Sequence, residues 1–385
     1  MRVLIDTIPF DEHAAAIRWL LEQRGHSVDF LFRSDFPASQ SISLRAGKDG
    51  CEAWAPAVSA APLGGYDAGV MRRHRGPTIS SSIADVDCLF ALRQARIVDA
   101  SLNAFIDTGG WWVNPVAGAG TYGNKPLQLK CAVDAGFDVP ETLISNDPAA
   151  ILAFVKDAPG EVISKPLQPA AWNTARQTRL TFTAKISEAL VAEHLESLAL
   201  TPAIFQHYVA KAAEVRAVFM GRTCYAVEVA SGTFEEVTDW RLCYTDGRGL
   251  RLRPVQLPAE VCERALAFMD RIGLVFGSFD FCVDHDGRYM FLEVNPMGQF
   301  LWLEKEPSVP PLLSAFCDFL ESGDPEFEAG PAPRDAFRFS DARVTPRFAE
   351  IFASYDNHRA ENNGCFTYSD DDQSADLEEA RSVMA

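Results

Sequence analysis

The chain has 385 residues, 48% of them hydrophobic and 23% charged, which is enough apolar material for two or three packed units. Asp and Glu outnumber Lys and Arg 53 to 35, giving a formal charge of −18. That field opposes nucleic acid and anionic membrane surfaces, so neither is an expected partner, and any polyanion must be met in a local pocket.

No apolar run approaches the roughly 18 residues of a membrane span, and the opening MRVLIDTIPFDEH lacks the pattern of a signal peptide. Nine cysteines without a C-x-x-C pair argue against a disulfide framework or a zinc site, and fit a cytoplasmic protein. Residues 1–32 predict a β-α-β start: a VLI strand, a helix over about 13–24 stopped by Gly25, then SVDFLF. Residues 33–80 read as irregular and contain the Arg-rich MRRHRG at 71–76. Helical spacing of Ile83, Val86, Leu89, Phe90, Ile97, Val98 and Leu102 predicts a helix before the strand WWVN.

From Asn124 the pattern is helix, strand, helix, with Gly136 and Asn146-Asp147-Pro148 as punctuation. EVISKP reads as a buried strand, the polar stretch 168–182 as a mobile loop, and AIFQHYV as a strand. VRAVFMG and TCYAVEVAS form a hairpin around Gly221-Arg222. After a helix over 258–272, GSFDFCVD and YMFLEVN form another around His285-Asp286-Gly287-Arg288, and a last helix covers 308–320. This order fits an α+β body following an α/β one.

The second hairpin carries the chemistry. Glu293 and Asn295 share a strand face, and the hairpin can bring Asp280 beside them. Two carboxylates and an amide oxygen suit Mg²⁺, which keeps phosphate oxygens among its ligands; the alternative is an exposed face that is merely acidic. Three basic residues could meet the phosphates: Lys165 within a buried strand, Lys125 at a helix start, and Arg216 between apolar neighbours. Neither a P-loop nor a dinucleotide-binding glycine motif is present.

The run from Asn124 to Glu304 resembles ATP-grasp ligases, and most closely the ATP-grasp maturases of microviridin-type peptides (graspetides). NKPLQLKCAVDAGFDVPETLISNDP, VISKPL, FQHYVAKAAEVRAVFMG, TDWR and GSFDFCVDHDGRYMFLEVNPMGQFLWLE carry the resemblance in order, joined by FLFRSDFP, MRRHRGP and WWVNP upstream. It implies an ATP-grasp fold in four parts: an N-terminal open α/β domain (1–120), a central subdomain with a phosphate lid (121–202), a subdomain with the Mg²⁺ site (203–322), and an extension (323–385).

It also implies an ADP-forming ligase that makes ω-ester or ω-amide cross-links in a ribosomal peptide. Lys125 and Lys165 would hold the ATP phosphates, with Lys165 also near the adenine. Gln206 and the backbone of Tyr208 and Val209 would face the adenine, and Glu214 the ribose. Arg216 would stabilise the transferred phosphoryl group, while Arg241, with Asp239 nearby, would face the acyl acceptor. Asp280, Glu293 and Asn295 would bind Mg²⁺. The runner-up is an amino-acid ligase of the glutamate-adding or glutathione-forming type; a scaffold without catalysis is the rival from another class.

The extension departs from that family. Pro346, Arg347, Phe348, Ile351 and Phe352 lie in RVTPRFAEIFASYD, which is similar to the leader helix of precursor peptides. Beyond it come the hydroxyls of Thr367, Ser369 and Ser374 and the carboxylates of Asp370, Asp371, Asp372, Asp376, Glu378 and Glu379. The tail is therefore a candidate fused substrate, or a docking helix with a solvated acidic end. The expected partners are a peptide with a leader helix, separate or fused, and a second copy of the chain.

Overall fold

A computed structural model describes residues 1–73, 76–106, 111–115, 123–168, 171–173, 178–180, 183–230 and 251–355. The chain opens with β1 (Arg2–Thr7), α1 (Glu12–Gln23) and β2 (Ser27–Phe32). Asp11 caps α1 by accepting from the backbone N–H of His13 and Ala14, and Gly25 leaves it at φ 84°. There follow β3 (Ser43–Gly47), β4 (Gly50–Trp54), β5 (Ala68–Met71), α2 (Asp85–Leu102) and β6 (Trp112–Val113). A parallel sheet runs in the order β2-β1-β5-β6, and β3 and β4 form a separate antiparallel pair. The irregular reading of 33–80 is thus corrected. β5 is four buried residues, too short to show an alternation, and β3–β4 is mostly exposed.

The middle of the chain contains α3 (Lys125–Asp134), β7 (Thr142–Ser145), α4 (Pro148–Asp157), β8 (Val162–Lys165), β9 (Ala171–Asn173), β10 (Thr178–Leu180), β11 (Ala184–Ile186), α5 (Glu188–Glu193), α6 (Leu195–Leu198) and β12 (Ala203–His207). Asn124 and Asp147 cap α3 and α4, each followed by proline in the first turn. An antiparallel sheet β11-β8-β12-β7 covers a small core of Ile151, Val162, Val191 and Phe205. The stretch 168–182 is not wholly a loop: β9 and β10 pair antiparallel. Three-residue strands are too short for a period-two signal to register.

The largest sheet is built from β13 (Lys211–Met220), β14 (Thr223–Ala230), β15 (Arg251–Val255), then α7 (Ala259–Ile272), β16 (Phe276–Asp284) and β17 (Tyr289–Asn295), in the order β15-β14-β13-β16-β17. Gly221, at φ 58°, makes the β13–β14 turn, where an added Cβ would lie 2.7 Å from a Phe327 backbone oxygen. Val261, Ala265, Phe268 and Met269 of α7 pack on Val215, Ala217, Phe279, Phe281 and Phe291. Val218, Met220, Val227 and Phe276 belong to a second core, shared with α1 and α8 (Leu312–Ser322). That core joins the largest sheet to the N-terminal one.

The extension is part of the same core. α9 (Phe339–Arg343) and α10 (Pro346–Ala353) pack on α1, with Thr345 capping α10 through the Phe348 N–H. Phe348 and Ile351 are buried, and Tyr355 is 0% exposed among Phe10, Phe30 and Phe32. Arg347 closes the contact by pairing with Glu22 (2.8 and 3.0 Å).

His13 joins the sheets at one point, its Nε2 accepting from the backbone N–H groups of Phe300 (3.1 Å) and Leu301 (3.0 Å). Burial, then the charge of Arg72, push this imidazole down to about 3, while Asp11 pulls the other way and Arg73 and Arg216 add to the depression. Burial alone would raise the Asp11 carboxyl, but Arg72, His13 and Arg73 hold it well below its usual range.

Two predictions follow from these contacts. Phe348→Ala should lower unfolding free energy by about 3 kcal/mol, read as a lower urea midpoint at unchanged slope. His13 binds its proton more weakly folded than unfolded, so its contribution is complete above the unfolded value of 6.5 and is lost as pH falls towards about 3. Urea midpoints measured between pH 7 and 4 should therefore fall, and His13→Gln should flatten part of the slope.

Candidate active site

In β13–β16 pairing Arg216 lies opposite Asp280; in β16–β17 pairing Asp280 lies opposite Glu293 and Ser278 opposite Asn295. Opposed residues of an antiparallel pair share a face, so Glu214, Arg216, Asp280, Glu293 and Asn295 project together while Val215, Phe279 and Val294 enter the core. A register shift between Asp280 and Phe281 lets Phe281 pair with Phe291 instead of Leu292. This bulge keeps both phenylalanines in the core while Glu293 stays beside Asp280.

Arg216 reaches Asp280 with one terminal nitrogen at 2.8 and 2.6 Å from the two carboxylate oxygens, and donates to the Gln299 carbonyl with the other (3.2 Å). Its Nε is buried with no hydrogen-bond partner among the described residues. Asn295 Nδ2 donates to Asp280 Oδ2 at 3.1 Å, and Lys125 Nζ stands 3.2 Å from Glu293 Oε2. Glu214 is paired with Lys211, a cation the sequence reading did not single out although it stands three residues before.

The second cluster lies on the central sheet. Lys165, at the half-buried end of β8, donates to Gln206 Oε1 (3.3 Å), and Gln206 donates on to Thr142 Oγ1 (2.8 Å). Tyr208 follows β12, its N–H bonded to the Glu161 carbonyl (2.8 Å) and its ring under Lys185, with half-buried Val209 next to it. Arg241, Asp239 and the tail residues Thr367, Ser369, Asp370, Asp371, Asp372, Ser374, Asp376, Glu378 and Glu379 lie outside the described residues.

Two carboxamides absent from the sequence reading hold the metal-candidate strand. Gln128 Nε2 donates to the Val294 carbonyl (3.0 Å) while its Oε1 accepts from the Val294 N–H (3.1 Å), so α3 is fastened one turn after Lys125. Asn114 donates to the carbonyls of Phe276 (2.9 Å) and Pro296 (2.8 Å), and accepts from the N–H groups of Val275 and Phe276. Each is the lone amide within an otherwise apolar or charged stretch, WWVNP and KPLQLK, and that isolation is the signal that could have found them.

Asp280, Glu293 and Asn295 bring two carboxylates and one amide group together, a hard-oxygen set that fits Mg²⁺. Among the described residues no three His, Cys, Asp or Glu side chains gather as a metal group. The two carboxylates are instead held by Arg216 and Lys125, cations of the kind that phosphate oxygens would engage. The orphaned Arg216 Nε is a further donor for such an anion. Among the described residues no helix is long and apolar enough to cross a membrane.

No protein-family model matches the chain, and no curated protein matches its sequence. Solved structures do. The macrocyclase MdnC of Microcystis aeruginosa MRC, solved with the precursor peptide MdnA, is 26% identical over 84% of this chain and 100% of its own, with a TM-score of 0.70. A RiPP-associated ATP-grasp ligase of Chryseobacterium gregarium, solved with ADP and a leader and core peptide, is 22% identical over 84% of this chain and 97% of its own, with a TM-score of 0.71. The ATP-grasp ligase PsnB, solved with a minimal precursor, Mg and ADP, is 21% identical over 83% of this chain and 97% of its own, at a TM-score of 0.61. The chain has the ATP-grasp fold, in the form taken by these peptide-modifying ligases.

Proposed function

We propose that the protein is an ADP-forming ligase that activates side-chain carboxylates of a peptide as acyl phosphates and joins them to hydroxyls or amines as ω-esters or ω-amides. The observation that carries this reading is the Arg216–Asp280–Asn295 cluster beside the Lys125–Glu293 pair, on a fold shared with a peptide macrocyclase at 26% identity.

In this reading Gln206 and the Tyr208–Val209 backbone take the adenine, and Glu214 the ribose. Lys125 and Lys165 take the phosphates. Asp280, Glu293 and Asn295 would hold Mg²⁺, which when bound supplies positive charge to the phosphate oxygens. Arg216 meets the γ-phosphate as charge moves onto the leaving oxygen. The peptide carboxylate attacks in line, ADP leaves, and a hydroxyl or amine then displaces phosphate. Arg241, with Asp239, orients that acceptor. Residues 168–182, β9–β10 included, cover the phosphates and exclude water.

A second copy of the chain is the partner best suited to α2. Val86, Phe90 and Ile97 are 86%, 67% and 69% exposed along one stripe of it. Antiparallel pairing of two such helices about a two-fold axis sets Val86 against Ile97, Asp87 against Arg96 and Phe90 against Arg93, so the stripe is complementary to itself in shape and charge.

ADP release from ATP and Mg²⁺ should not rise when free amino acids are added alone. Asp280→Asn with Glu293→Gln should lower it at least about 100-fold; unchanged turnover would refute the metal assignment. Sedimentation should give a dimer that Phe90→Glu converts to a monomer, and a monomeric parent chain would refute the α2 interface.

A further inference from the structure

The described chain does not end at a remote corner. Tyr355 is fully buried against Phe10, Phe30 and Phe32, and its buried hydroxyl has no hydrogen-bond partner among the described residues. The charges of Asp11 and Arg18 act on that hydroxyl, the first raising its pKa and the second lowering it. Asp11 pairs with Arg72 (3.4 Å), and Arg72 donates to the carbonyls of Met297 and Gly298, the latter at 2.6 Å. The next carbonyl, that of Gln299, accepts from Arg216. The Gln299 amide also stands 3.3 Å from both terminal nitrogens of Arg73. Ion pairs and hydrogen bonds therefore run from Asp11, whose charge acts on the Tyr355 hydroxyl, to the cation proposed to meet the γ-phosphate.

Residues 356–385 leave from that point, and the described structure fixes their start. α10 is not a loose appendage, because its apolar residues complete the core shared by the N-terminal and largest sheets. Eleven residues lie between Tyr355 and the first acceptor hydroxyl, Thr367. Fully extended, they span about 40 Å, against a radius of gyration of about 21 Å for a compact chain of this length. The six acids between Asp370 and Glu379 follow, opposite in sign to Lys125, Lys165, Arg73 and Arg216. A tether of this length holds its end at an effective concentration of the order of millimolar.

We propose that the tail is the enzyme's own substrate, modified in cis: α10 anchors it, and residues 356–385 enter the Arg216 site. The proposal rests on the ligase function above and adds the identity of the peptide. A carboxylate among Asp370, Asp371, Asp372, Asp376, Glu378 and Glu379 takes the γ-phosphoryl group of ATP, releasing ADP. The oxygen of Thr367, Ser369 or Ser374 attacks the resulting carbonyl, loses its proton and expels phosphate, leaving one ester. Each bond removes the elements of one water from the chain.

The full-length protein is incubated with ATP and Mg²⁺, and its C-terminal proteolytic fragment is weighed. The expected result is loss of one water per bond, at a rate independent of protein concentration. That loss should disappear when Thr367, Ser369 and Ser374 are all changed to Ala, while the ATP-induced rise in melting temperature persists. An unmodified tail in a chain whose melting temperature still rises with ATP and Mg²⁺ would overturn the proposal and leave the ligase function standing. No rise with nucleotide would overturn both. Modification that scales with concentration, or that an Asp280→Asn chain acquires from an active one, would overturn the cis arrangement.

Discussion

Everything at the candidate centre depends on a backbone segment held from both sides by carboxamides. Gln128 grips Val294 through both its N–H and its carbonyl, and Asn114 grips the carbonyl of Pro296. Asn295 lies between them, and Glu293 lies just before. A buried amide with every donor and acceptor satisfied costs little and fixes position closely, whereas one left half-satisfied is expensive. Both grips are made to backbone atoms, so the side chains of Glu293 and Asn295 are left to face Lys125 and Asp280. The same two residues bring α3, with Lys125, and the β6 end of the N-terminal sheet against the largest sheet.

A second constraint is how the faces of that sheet are divided. One face is apolar along β13, β16 and β17 and closed by α7. The other is apolar at Val218 and Met220, where α8 and the N-terminal sheet cover it, and charged from Arg216 to Glu214. The transition occurs within two residues of β13. Charges at its edge are therefore partly shielded from water, where ion pairs and phosphate contacts are stronger than at the surface. Arg216 is buried at that boundary, opposite Val227 of the apolar part on one side and Asp280 on the other.

Much of this was legible in sequence because it is local. Asn124, Asp147-Pro148 and Thr345-Pro346 announce their helices through capping chemistry, and Gly221 and Gly287 announce their hairpins. Asp280, Glu293 and Asn295 could be gathered because hairpin pairing and period-two alternation are short-range rules. The bulge after Asp280 was not legible: strict alternation puts Phe291 on the same face as Glu293, and only packing against Phe268 and Phe281 puts it on the other. β5 was missed because four apolar residues have no period to read. The exposure of Val86, Phe90 and Ile97 is likewise invisible to a pattern that sees only their spacing, which is that of a core helix.

The place of α10 has a consequence for how the chain is made. The apolar surface of α1 and β2 is complete only when Phe348, Ile351 and Tyr355 have joined it. On a ribosome those residues emerge about 320 positions after β2, some 15–60 s later at ordinary elongation rates. Until then Phe10, Phe30 and Phe32 lack their final cover. The N-terminal unit thus waits for nearly the whole chain, and a ribosome that stalls before residue 355 leaves behind a sticky intermediate instead of a finished domain.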